Sequence, residues 1–183
     1  LLVTFFSPSG YEVAKNYAFA DVISYLPLDT RKNAEQFFRI VHPDLVIFVK
    51  YEFWYHHLSV AAFHHVPILL ISATFRKEQV FFRSYGGFFR QMLHLFRHLF
   101  VQDEASIALL QSVGIRNCSI SGDTRFDRVA AIAGKKAEIP AIDAFVADKK
   151  LIVAGSTWED DDAVLAAYAK TNQQTKLIIA PHE

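Results

Sequence analysis

Short runs of Val, Ile, Leu and Phe return along this chain with amphipathic stretches between them, and that alternation constrains the fold more than any other feature. The runs fall at 1–6, 21–26, 44–49, 67–72, 98–102 and 117–121. Each is too short for a buried helix, and their near-continuous apolar character suits strands covered on both faces of a parallel sheet. The segments between them, 11–19, 30–41, 53–65, 76–97 and 104–113, read as helices, the connection that parallel strands require. Asp29 and Thr30 are N-cap residues for the second helix, Pro43 and Pro67 punctuate the ends of the second and third, and Gly114 stands where a C′ glycine closes the fifth.

The pattern predicts an α/β chain whose residues 1–128 form a Rossmann-like parallel lobe. From 129 the sequence turns to Ala, Lys and Glu with Pro140, and 129–150 reads as a linker. A strand at 151–154, a turn at 155–157, a helix at 160–170 and a strand at 176–180 then open a second lobe over 151–183. Leu1 already lies in a strand and Glu183 directly follows one, which predicts that the sequence is an interior piece of a longer protein.

Composition narrows the partners. The 19 Lys plus Arg residues balance the 19 Asp plus Glu residues, so the chain as a whole carries no field suited to nucleic acid. One cysteine, Cys118, rules out an internal disulfide and suits a reducing compartment. No apolar run approaches the roughly 18–20 residues of a membrane-spanning helix. His56 with His57, His64 with His65, and His94 with His98 lack the carboxylates that would complete a ligand set, so no metal and no cofactor is expected.

The balanced total conceals a basic, aromatic segment. Residues 75–100 carry Arg76, Lys77, Arg83, Arg90 and Arg97 against Glu78 alone, interleaved with Phe and Tyr. Most of those Phe residues are expected to line the core. The rest, with Arg83, Phe88, Phe89, Arg90 and Arg97 at their centre, suit an anionic membrane surface. Gly86 and Gly87 predict two helices or a bent one in place of a continuous helix.

Ligands of parallel sheets bind at the carboxyl ends of the strands, and four loops there hold chemistry. Ser7, Ser9 and Gly10 offer hydroxyls and free N–H groups, which equally describes an ordinary capped turn. Glu52 sits beside Lys50 and Trp54, where it could steady cationic charge or simply satisfy a helix dipole. Arg125, in Gly-Asp-Thr-Arg-Phe-Asp, could grip a phosphate or pair with Asp127 at the surface. Ser156 and Thr157 follow Gly155 by the same strand, turn and helix logic, without the Gly-Lys-Ser/Thr of a P-loop.

Taken in order, Ser-Pro-Ser-Gly-Tyr-Glu at 7–12, Lys-Tyr-Glu-Phe-Trp at 50–54, Gly-Asp-Thr-Arg-Phe-Asp at 122–127, Ala-Gly-Ser-Thr-Trp-Glu at 154–159 and Ala-Pro-His-Glu at 180–183 resemble the 3-deoxy-D-manno-octulosonic acid (Kdo) transferases of lipopolysaccharide synthesis. The resemblance implies a two-lobed (GT-B type) glycosyltransferase, inverting and metal-independent, with 1–128 as its acceptor-side lobe, the first strand and helix of that lobe missing, and 151–183 as the start of the nucleotide-sugar-binding lobe. It implies a CMP-Kdo donor and a lipid A precursor as acceptor, at the cytoplasmic face of the bacterial inner membrane. It further implies that Glu52 and Arg125 stabilise the transition state, that Pro181 and His182 contact CMP, and that a general-base glutamate lies upstream of Leu1. The fragment by itself would then be inactive. Relatives often carry Lys at the Arg125 position and Arg at the His182 position. A nucleotide-sugar epimerase of the same architecture and a non-catalytic membrane-binding module are the alternative readings.

Overall fold

The computed structural model describes residues 1–135 and 138–182. By internal packing the chain divides into two compact units, Leu1–Arg128 and Val129–Glu183.

Unit 1 is built from strands and helices in strict alternation: β1 (Leu2–Phe5), α1 (Pro8–Ala14), β2 (Val22–Tyr25), α2 (Arg31–Val41), β3 (Val46–Val49), α3 (Tyr55–Phe63), β4 (Ile68–Ala73), α4 (Gly87–His94), β5 (His98–Val101), α5 (Glu104–Ser112), β6 (Cys118–Ile120) and the start of α6 (Thr124–Gly134). Every strand pair is parallel. The strands form two ladders, β1–β2 and β3–β4–β5–β6. This is the α/β, Rossmann-like class that the apolar periodicity predicts.

The core sits where β4 and β5 are covered by α3, α4 and α5. Leu58, Leu70, Leu93, Leu99, Val101 and Leu110 are completely buried there. Helix boundaries follow local chemistry. The Thr30 hydroxyl accepts from Asn33 N at 3.2 Å and starts α2, and the Asp103 carboxylate accepts from Ser106 N at 2.7 Å and starts α5. Gly114, at φ +87°, follows α5 in the left-handed conformation that glycine takes without penalty.

The segment over 76–97, expected to hold two helices or a bent one, divides at Gly86 into a 3-10 turn at Val80–Phe82 and α4, so the regular helix covers much less than the whole stretch. Gly86 explains the break. A Cβ there would lie 1.9 Å from the carbonyl oxygen of Val80, so the turn folds back onto bare backbone. Phe75, Phe81 and Phe96 are buried in the core, whereas Tyr85, Phe88 and Phe89 remain exposed.

Unit 2 holds the rest of α6, then α7 (Pro140–Val146), β7 (Lys150–Thr157), α8 (Glu159–Thr171) and β8 (Thr175–Pro181). Strands β7 and β8 pair in parallel. The expected turn at 155–157 is not one: β7 runs on to Thr157, with its register shifting between Gly155 and Thr157 and Ser156 at φ +61°. The bulge keeps the strand paired while re-aiming its last residues. Residues 129–134 and 140–146 of the stretch read as linker are helical.

Candidate functional site

Three loops at the carboxyl ends of unit 1 strands converge on one region. The first follows β1. The Ser7 hydroxyl caps α1 by accepting from Gly10 N at 3.3 Å and lies 3.2 Å from the hydroxyl of Ser9. Phe6 packs against Trp54 with ring centroids 4.5 Å apart, which ties this loop to the second.

The second loop, after β3, starts with Lys50 in the left-handed region at φ +64°. Glu52 is exposed, and the Trp54 indole Nε1 donates to its carboxylate. Glu52, Trp54, Ser7 and His57 share a cavity of about 520 Å³ with residues of β1 and β3. Helix α3 has no cap from its own chain neighbours; the Asp29 carboxylate, arriving from the loop after β2, accepts from His56 N and His57 N at 3.1 Å each and lies 2.8 Å from His57 Nδ1. Asp29 therefore caps α3 and not α2, which Thr30 alone caps.

The third loop follows β6, and its last residues open α6. Asp123 accepts from Arg125 N at 3.0 Å and from Arg125 Nε at 2.7 Å. The guanidinium holds the Asp123 carboxyl below the ordinary carboxylate range, with a smaller contribution from Lys50. Hydrogen bonding to Asp123 raises the pKa of Arg125, helped last by Tyr51. Arg125 thus pairs with Asp123 and not with Asp127.

Glu52 and Arg125 follow opposite edges of the four-stranded ladder, with β4 and β5 between them. They are not on adjacent strands. Flat spacing of about 4.8 Å per strand would put their strand ends some 14 Å apart; Lys50 and Tyr51, ahead of Glu52, make the last and smallest contributions to the shifts of Asp123 and Arg125.

Ser72 contacts the third loop from β4. It is buried at the end of β4, left-handed at φ +53°, with its hydroxyl 3.3 Å from that of Thr124 and its carbonyl accepting from Gln102 Nε2 at 2.8 Å. Sequence reading took Asp29 only as a cap of α2 and His57 only as half of a histidine pair, and it gave Ser72 and Asp123 no role of their own, although Asp123 stands two residues from a candidate arginine.

In the aromatic segment, the Arg90 guanidinium donates to the carbonyls of Phe81 at 3.2 Å and Arg83 at 2.9 Å, so Arg90 closes the 3-10 turn. Arg83 Nε donates to the Glu78 carbonyl at 3.1 Å, and Arg97 is exposed. Phe88 packs against Tyr55, at the start of α3, with ring centroids 4.8 Å apart and the rings tilted at 47°. Among the described residues no helix is long and apolar enough to cross a membrane.

Unit 2 has its own cavity of about 530 Å³, lined by Thr157, Trp158, Glu159, Asp160, Asp162, Pro181 and His182. His182 N donates to the Thr157 carbonyl at 2.9 Å, and the His182 ring stacks on Trp158 at 4.5 Å and 17°. Thr157 is buried, while Ser156 beside it is exposed and outside that lining. Glu183 lies outside the described residues.

Among solved structures, a UDP-N-acetylglucosamine 2-epimerase superimposes over 96% of this chain and 52% of its own, at TM-score 0.69 and 14% identity. A putative UDP-N-acetylglucosamine 2-epimerase from Listeria monocytogenes covers 100% of this chain and 54% of its own at TM-score 0.67 and 12% identity. The UDP-GlcNAc 2-epimerase from Neisseria meningitidis, bound to UDP-GlcNAc, gives 89%, 52%, 0.57 and 16%. At such identities the likeness is one of fold, and the chain spans about half the length of these proteins. No curated protein sequence matches the chain. The sequence of unit 1 speaks to family: residues 1–128 match the profile of 3-deoxy-D-manno-octulosonic-acid transferase (kdotransferase), and the chain belongs to that family.

Proposed function

We propose that the protein containing this chain is an inverting glycosyltransferase that moves Kdo from CMP-Kdo to a lipid A precursor during lipopolysaccharide synthesis. The observation that carries this reading is the family match over 1–128, which includes both the Glu52 loop and the Arg125 loop. In this reading the acceptor hydroxyl attacks the anomeric carbon. Glu52 steadies the positive charge that develops at the sugar ring, and Arg125 steadies the phosphate side of the breaking bond.

Ser7, Ser9 and Gly10 bind substrate beside Glu52. In unit 2, Pro181 and His182 hold CMP, with Ser156 and Thr157 on the strand that precedes them in the ladder. The exposed face of Tyr85, Phe88 and Phe89, together with Arg83 and Arg97, meets the anionic membrane at the cytoplasmic face of the inner membrane. Arg90 contributes to that face by holding its backbone. In this reading the 183-residue chain by itself is inactive, since unit 2 has two strands among the described residues.

The test is an assay of the full-length protein carrying this sequence, supplied with CMP-Kdo and a tetra-acylated lipid A precursor. Transfer that disappears in Glu52→Ala supports the reading. Epimerisation of UDP-GlcNAc without Kdo transfer, or a Glu52→Ala enzyme as fast as its parent, would overturn it.

A further inference from the structure

Strand β4 ends in a bulge. Its pairing with β5 sets Leu70 beside Leu99 and Ala73 beside Val101, so Ile71 and Ser72 together oppose Phe100, the two-against-one count that defines such a distortion. Ser72 is 2% exposed and left-handed at φ +53°. A serine is held in that region against its preference, and strain of this kind persists only where the surrounding contacts over-determine it. Gln102, which follows β5, supplies two of those contacts: its N–H donates to the Ala73 carbonyl at 2.9 Å and its side chain to the Ser72 carbonyl at 2.8 Å. The third is the Ser72 hydroxyl, 3.3 Å from that of Thr124.

That third contact crosses a strand. Thr124 follows β6, and β5 lies between β6 and β4, so flat spacing would separate the two strand ends by roughly 10 Å. The hydroxyl contact therefore bridges the end of β5. On the far side, Ser121 N donates to the Val101 carbonyl at 2.8 Å, and the chain then turns at Gly122 with φ +75°. Asp123 and Arg125 bond to each other. The Asp123 side chain is 5% exposed and that of Arg125 69%, so their pair sets how the guanidinium leaves the loop, but not where the loop stands on the sheet. Among the described residues, the hydrogen bond that ties 122–125 back to the sheet is the one between Thr124 and Ser72.

We infer that Ser72 is a positioning residue for Arg125: buried beyond the reach of a ligand, it fixes the first residue of α6 through its hydroxyl, and with it the place where the guanidinium meets its anion. This rests on the role proposed for Arg125 and adds the residue that sets its position. It also accounts for serine at a left-handed position. Glycine would take φ +53° without strain but has no hydroxyl to offer Thr124.

The test uses the full-length protein carrying this sequence. Ser72→Gly and Thr124→Val should each lower kcat for Kdo transfer about tenfold, with KM for the acceptor nearly unchanged, and the double variant should be no slower than either single one. Thr124→Ser, which keeps the hydroxyl, should stay within about twofold of the parent. Ser72→Gly should hold the parent's urea midpoint or exceed it, because glycine relieves the left-handed strain, so its loss of kcat is not a loss of fold. Added to Arg125→Ala, Ser72→Gly should change the residual rate by less than about twofold. By NMR, the Arg125 Nε–H should exchange about tenfold faster in Ser72→Gly than in the parent, and at the parent's rate in Thr124→Ser. Parent-like kcat or parent-like Arg125 exchange in Ser72→Gly overturns the inference. So does a tenfold loss that persists on top of Arg125→Ala, or a Thr124→Ser enzyme as slow as Thr124→Val. A parent protein that transfers no Kdo sinks the transferase reading instead, and the Arg125 exchange rates then decide on Ser72 by themselves.

Discussion

The Trp54 indole donates a hydrogen bond to the Glu52 carboxylate, so a residue two positions along the same loop orients the group that the proposed chemistry relies on. That donor limits the rotation of the carboxylate. In the full-length enzyme, Glu52→Gln should lower kcat by about 10²–10³, the usual effect of removing a group matched to transition-state charge. Trp54→Phe keeps the packing on Phe6 but loses the donor, and should lower kcat by roughly tenfold with little change in KM. Steady-state kinetics decides. A Trp54→Phe enzyme whose loss lies wholly in KM would show that the indole binds substrate and does not orient Glu52.

Asp123 and Arg125 form an internal pair, and its pH dependence has a definite sign. The folded-state pKa of Asp123 is depressed, chiefly by its hydrogen bonds from Arg125. Its contribution to stability is therefore complete above the unfolded carboxyl range and is lost as pH falls through the lower folded value. In Arg125→Ala the Asp123 carboxyl should titrate at higher pH than in the parent, by carbon-detected NMR. Asp123→Ala should free the guanidinium and raise KM for the donor several-fold, because an arginine released from its clamp must be ordered again on binding. An unchanged titration of Asp123 in Arg125→Ala would dissolve the pair.

Asp29 shows where sequence reading stops. Asp-Thr ahead of an amphipathic run is a legible capping signal, and the run was indeed a helix. The signal offered two residues for one role, and the structure divides them: Thr30 caps α2, while Asp29 reaches 27 residues onward to His56 N. Tertiary capping of this kind leaves no local trace, and His57 therefore had no visible partner in the sequence. The same holds for the bulge in β7, where Gly-Ser-Thr has the composition of a turn but the pairing with β8 keeps it extended. The strands, by contrast, were legible because their apolar runs answer to burial alone.

The arithmetic of Asp29 follows from that geometry. Its carboxylate meets two backbone N–H groups and the His57 ring, so Asp29→Ala leaves three donors without it, one on a buried side chain. The expected loss is about 2–4 kcal/mol, read as a lower urea midpoint with unchanged m-value. Asp29→Asn, which keeps one acceptor oxygen, should lose less. A loss below about 0.5 kcal/mol in Asp29→Ala would place this residue among ordinary surface positions.

The basic aromatic segment divides into residues that build it and residues that face outward, and the two groups should separate by experiment. Arg90 donates to the Phe81 and Arg83 carbonyls, so Arg90→Ala should cost about 1–3 kcal/mol by stranding those acceptors. Gly86→Ala should cost at least as much, since a Cβ 1.9 Å from the Val80 oxygen forces the backbone to move. Arg83→Glu and Arg97→Glu keep the Arg90 bonds that close the turn, although Arg83→Glu gives up the exposed bond from Arg83 Nε to the Glu78 carbonyl. They should instead weaken binding to vesicles containing anionic lipid, by roughly 1 kcal/mol for each charge that approaches the surface, with chemical stability nearly unchanged. Phe88→Ala and Phe89→Ala should weaken vesicle binding as well, and more so at high salt, where the remaining electrostatic attraction is screened. If the full-length protein ignores anionic vesicles, or if the Arg83 and Arg97 variants bind them as the parent does, the exposed Phe residues serve some other contact and the membrane assignment falls.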